Sequence, residues 1–71
     1  MSLGEDRVRV KFNPSSNDDV AKLKTLAAQF IDLCETMRNA GSKDGEHQRL
    51  WSLAQTHAED AAMWAVKAAT F

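Results

Sequence analysis

The chain has 71 residues, a formal net charge of −1 and a pI near 6.0. That confines it to one domain and argues against charge-driven binding to polymeric nucleic acid or an anionic membrane. So short a chain buries a modest fraction of its surface and usually needs a disulfide, a metal or a partner chain as a staple.

Its one cysteine, Cys34, excludes an internal disulfide, and no Cys/His cluster has zinc-type spacing. Association with copies of itself is therefore the expected staple. No apolar run approaches the roughly 20 residues of a membrane span, and the opening MSLGEDRVRV lacks the apolar core of a signal peptide. A cytoplasmic protein with a reduced thiol is the expectation.

Residues 1–4 carry no weight in this reading. Residues 7–12, RVRVKF, alternate strictly, with Val8, Val10 and Phe12 on one side and Arg7, Arg9 and Lys11 on the other. The period predicts a β-strand-like arm, which must lie on helices or pair with another chain. Pro14 ends it, and NPSSN at 13–17 has loop chemistry.

Ser16, with Asp19 three residues on, predicts a helix N-cap close to a capping box, and Asp18 and Asp19 suit the positive end of the helix dipole. Val20, Leu23, Ala27, Phe30, Ile31, Cys34 and Met37 then recur at helical spacing. They predict a first helix over 18–39. Gly41 is placed for a left-handed C-cap. A second helix is expected over 45–70, with a main apolar stripe of Leu50, Leu53, Ala54, His57, Ala61, Trp64, Ala65 and Ala68.

About 100° round this helix lies a second stripe, Trp51, Ala58, Ala62, Val66 and Ala69. One partner helix covers only one of the two. The tail AAMWAVKAATF at 61–71 is thus expected to pack twice, once inside a hairpin and once between subunits. The predicted fold is mainly α: one antiparallel helical-hairpin domain over 1–71, with a short N-terminal strand-like arm, assembling as a homo-oligomer.

Chemistry is sparse. Cys34 falls on the core stripe, His57 reads as a core or interface histidine, and His47 as a solvated one near the turn. His57 and Asp60 can meet on one helix face, but no nucleophile matches them. No phosphate loop, zinc motif or metal-binding carboxylate set is present. The expectation is a protein without catalytic residues, metal or cofactor. Lys22 and Lys24 lie about 200° apart on their helix, so one chain cannot aim both at one site. Lys24 flanks the core stripe, Lys22 points away from it, and Lys67 flanks the second helix one turn after Met63. Phe12 is a core anchor for the arm or, beside Asn13 and Pro14, a ring on which a base can stack near a lysine.

The stretches VRVKFNPS, DDVAKLKTLAAQFIDLCE and above all HAEDAAMWAVKAAT resemble the hairpin-domain proteins of bacteriophages, the anti-CBASS and anti-Thoeris cyclic-nucleotide sponges. The resemblance covers nearly the whole chain apart from the first residues and the turn at 40–48. It implies a small helical protein, assembled as a hexamer and not an enzyme. Such a protein binds cyclic dinucleotides, and in many members cyclic trinucleotides at separate pockets, and holds them intact so that host immune effectors stay silent.

Residue by residue, the resemblance gives Phe12 the base-stacking place, where many members carry tyrosine. Asn13 contacts the ligand from the same loop, which Pro14 stiffens. Lys24 is the best match for a phosphate-contacting lysine, with Lys22 as the alternative. Lys67 is a candidate for the trinucleotide pocket or a solubilising edge residue. Met63 and Trp64 fall to packing or assembly. The bland alternative is a helical-hairpin oligomerisation module with no small-molecule ligand.

Overall fold

A serine three residues ahead of a glutamate starts the first helix. In the computed structural model, which describes residues 2–10 and 17–71, Ser2 caps α1 (Leu3–Val8). Its Oγ accepts from the Glu5 N–H at 3.1 Å, and the Ser2 N–H donates to Glu5 Oε1 at 2.9 Å. This is a full capping box.

The strand reading of the arm is therefore corrected over residues 7–10. Arg7 and Val8 close the helix, and Arg9 turns left-handed at φ 55° and ψ 55°. The Val10 N–H then reaches back to the Glu5 carbonyl at 3.1 Å. Lys11 and Phe12, the rest of the predicted strand, lie outside the described residues.

A six-residue helix is far too short to hold itself together in water, so docking decides the matter. Gly4 lies so close to the second helix that a Cβ there would overlap the Ala28 carbonyl oxygen. The Gly4 N–H donates to Asp32 Oδ1 at 2.7 Å, and Val8 joins Ala28, Ile31 and Ala62 in the core. Periodicity could not supply that information, because the valines pack inward whether the arm is extended or bent back at Arg9.

The two long helices are α2 (Asp18–Ala40) and α3 (Gly45–Ala69). Asn17, one residue after the predicted Ser16, is the α2 cap, its Oδ1 accepting from Asp19 N at 2.8 Å and Val20 N at 3.1 Å. Gly41 is not left-handed: it sits extended at φ −92° and ψ −160°. The reason is that side chains take over the terminal carbonyls. Gln48 Nε2 donates to the Arg38 and Ser42 carbonyls, both at 3.0 Å, and Lys43 Nζ to that of Asn39 at 2.9 Å. Asp44 caps α3 by accepting from Glu46 N at 2.8 Å. A glutamine thus ties both ends of the turn.

Which faces meet is the main departure from expectation. The inward side of α2 is Val20, Lys24, Ala28, Ile31 and Cys34, with Ile31 wholly buried, whereas Phe30 and Met37 are 52 % and 47 % exposed. On α3 the inward side carries Trp51, Gln55, Ala58, Ala62 and Val66. That is the stripe read as secondary. The stripe read as primary, from Leu50 through His57 to Trp64, faces outward.

Gln55, 2 % exposed, explains part of the choice: its Nε2 donates to the Ile31 carbonyl at 3.3 Å and to Glu35 Oε1 at 3.0 Å. A polar residue is buried where hydrogen bonds await it. The alanines let the helices approach, while the bulkier residues stay exposed.

Candidate ligand-binding cleft

Beside the C-terminus of α1, the three helices enclose a cleft of about 590 Å³. α1 supplies Arg7, Val8 and Arg9, α2 supplies Lys24, and α3 supplies Glu59, Asp60, Met63 and Val66, among others. Arg7 and Arg9 would stand about 200° apart on a continuing helix. They share one cleft because the helix stops at Val8 and the left-handed Arg9 swings the chain round.

Lys24 is 7 % exposed, part of the buried stripe and not the edge lysine expected. Its Nζ donates to the Arg9 carbonyl at 3.1 Å, bracing the one left-handed non-glycine residue among those described. Burial pushes the Lys24 pKa below the ordinary lysine value, and the Arg9 guanidinium adds to the shift. A poorly hydrated ammonium facing another cation gains more from an arriving anion than a solvated one does. Arg7 leans across the cleft to α3, its Nε and Nη2 donating to Glu59 Oε2 at 3.0 and 2.7 Å.

Among the described residues predicted from sequence as ligand contacts, Lys24 alone lines this cleft. Phe12, Asn13 and Pro14 lie outside the described residues. Lys22 is exposed and does not line it. Lys67 is exposed over the Trp64 ring, its Nζ 5.3 Å from the centroid. Sequence reasoning missed Arg7, Arg9 and Glu59. The arginines read as the solvent side of a strand, and nothing local linked Arg7 to a glutamate 52 positions on. The one available signal was the Ser2–Glu5 capping pattern, whose Ser2 lies in the residues given no weight.

Burial raises the Cys34 thiol pKa, the opposite of what a nucleophile needs. Both histidines are exposed. Among the described residues no group of three His, Cys, Asp or Glu side chains is gathered for a metal. No described helix is long and apolar enough to cross a membrane.

On the opposite side of the hairpin runs an apolar trough of about 570 Å³. Leu23, Leu26 and Phe30 of α2 form one bank, and His57 with the alanines Ala54, Ala58, Ala61 and Ala65 of α3 forms the other. Leu33, Met37, Leu50 and Trp64, exposed by 60 %, 47 %, 50 % and 57 %, extend the exposed apolar surface of the two helices.

A small helical hairpin with a cationic cleft on one side and an apolar trough on the other has the makings of a binding module. The chain belongs to the Acb2/Tad1 hairpin family, whose model, described as Acb2/Tad1, hairpin domain, matches residues 4–70. This is the anti-CBASS and anti-Thoeris sponge family, a family of binding domains and not a known enzyme family. Neither a curated protein nor a solved structure matches the chain.

Proposed function

We propose that this protein sequesters cyclic oligonucleotide second messengers without cleaving them, and so silences host antiphage signalling. The observation that carries the reading is the family match over residues 4–70. The cleft supports it chemically, since Arg7, Arg9 and Lys24 converge on a space able to admit a phosphate. Guanidinium and ammonium groups are the usual partners of phosphate oxygens.

In this reading Lys24 contacts a phosphate of a cyclic dinucleotide, with Lys22 as the alternative. Phe12 stacks on a base, and Asn13 and Pro14 complete the loop. Base–aromatic stacking contributes about 1–3 kcal/mol per base. Lys67 serves a separate cyclic-trinucleotide pocket.

We further propose that the trough is the assembly surface and that its occupant is a second copy of this chain, within a hexamer. The bulky residues of α2 and the alanines of α3 lie on the same face, so a two-fold partner can seat Phe30 against the other chain's alanine bank and receive the same in return. Such self-complementarity is what an isologous interface requires. Other occupants are outcomes of the same test.

Isothermal titration calorimetry with a cyclic dinucleotide panel, and linear dinucleotides as controls, tests the ligand. Tight binding of cyclic species, recovered intact after heating the protein, is expected. No heat from a folded oligomer with cyclic dinucleotides or trinucleotides overturns it in favour of a plain oligomerisation module.

A further inference from the structure

The Arg7–Glu59 pair is the most pointed contact in the cleft. It joins the first helix to the last, and the guanidinium gives both Nε and Nη2 to one carboxylate oxygen, Oε2. Both residues line the cleft, and their side chains are 28 % and 43 % exposed. A phosphate oxygen makes the same forked contact with arginine as a carboxylate does. The Glu59 carboxylate therefore sits where an oxyanion of a ligand would meet this guanidinium.

We propose that Glu59 is an internal counter-ion occupying Arg7 in place of a ligand phosphate, and that exchange of one anion for the other sets the affinity of the cleft. The proposal rests on the cyclic-nucleotide reading above. Among the described residues, three cations, Arg7, Arg9 and Lys24, face two carboxylates, Glu59 and Asp60, across the cleft. Their excess of positive charge is thus only one.

An arriving dianion competes with Glu59 for Arg7, whereas Glu59, nearly half exposed, returns to water cheaply when displaced. Without a ligand Arg7 stays neutralised by Glu59, so it remains docked and α1 stays pinned to α3. Affinity is given up for a preorganised, low-charge resting site, which also discourages non-specific polyanions.

Glu59→Gln separates this role from a structural one. A neutral amide oxygen still accepts a hydrogen bond from Arg7, but it no longer competes as an anion. The tightest-binding cyclic dinucleotide of the panel is expected to bind this variant roughly tenfold more tightly, with a steeper loss of affinity as salt rises. Arg7→Ala is expected to bind roughly tenfold more weakly.

If Glu59 merely holds α1 in place, Glu59→Gln weakens binding, and that result, or unchanged affinity in a correctly assembled variant, overturns the proposal. The wild-type chain gives a check free of folding effects. Its Arg7 Nε–H resonance must shift on saturation with the same dinucleotide, and a stationary resonance overturns the proposal while leaving the sponge reading intact. Absence of any binding by wild type removes both.

Discussion

The two sides of this hairpin are built on the same two helices, yet they are finished in different ways. On one side the chain covers itself: α1 docks through Gly4 against Ala28, the Gly4–Asp32 hydrogen bond and the Arg7–Glu59 pair. On the other side nothing within the described chain covers Leu26, Phe30, Leu33 and Trp64. The covered side uses directional polar contacts, and these leave a charged cleft at its margin. The bare side offers only apolar area, which is non-directional and proportional to what a second surface removes from water. The chain thus closes one face by itself and leaves apolar area exposed on the other.

The largest effect should come from breaking the bare side. Phe30→Glu places a charge in the trough where apolar burial of a side chain is worth about 1.5–3 kcal/mol per copy. Loss of the hexamer to a smaller species is expected by light scattering after gel filtration. An unchanged mass removes the trough as the interface.

The covered side should respond differently, in stability and not in mass. Gly4→Ala drives a methyl into the Ala28 carbonyl, and such overpacking costs about 1–3 kcal/mol. Thermal unfolding should shift downward, and amide exchange should show α1 losing protection while α2 and α3 keep theirs.

Between the two sides, Gln55→Ala strips the donor from the Ile31 carbonyl and from Glu35. A loss of about 1–3 kcal/mol is expected in denaturant titration, with neither assembly nor ligand binding selectively affected.

The smallest effect is electrostatic. The hydrogen bond from Gln55 is the main cause holding the Glu35 carboxyl below its ordinary 4.5, helped by Arg38 and opposed by burial. Folding therefore favours the ionised form. Its contribution is complete above pH 4.5 and is lost as pH falls through the lower, folded-state value. The melting temperature of Glu35→Gln should be flatter than wild type in that acid window and parallel to it at neutral pH.

The Lys24 shift has the opposite sense. Its charged form is disfavoured in the fold, so stability should rise as pH climbs from the depressed folded value toward 10.5. A Lys24→Met variant should lack that rise.

Helical periodicity located the two long helices to within a residue: 18–39 and 45–70 against Asp18–Ala40 and Gly45–Ala69. It also located two apolar stripes on the second helix, of which the hairpin covers one. The candidate site was far less legible. Lys24 was visible as a cation near the core, but Arg7, Arg9 and Glu59 were not, because their meeting depends on a short helix that ends abruptly.

Hydrogen-bond period, capping pattern and apolar spacing are local properties, and a single chain states them. Which stripe of α3 turns inward is decided by Gln55 finding the Ile31 carbonyl across the hairpin. Whether RVRV bends back as a helix end is decided by Gly4 fitting against Ala28. Both outcomes rest on contacts between residues more than 20 positions apart, whose energies exist only once α1 lies on α2 and α2 on α3.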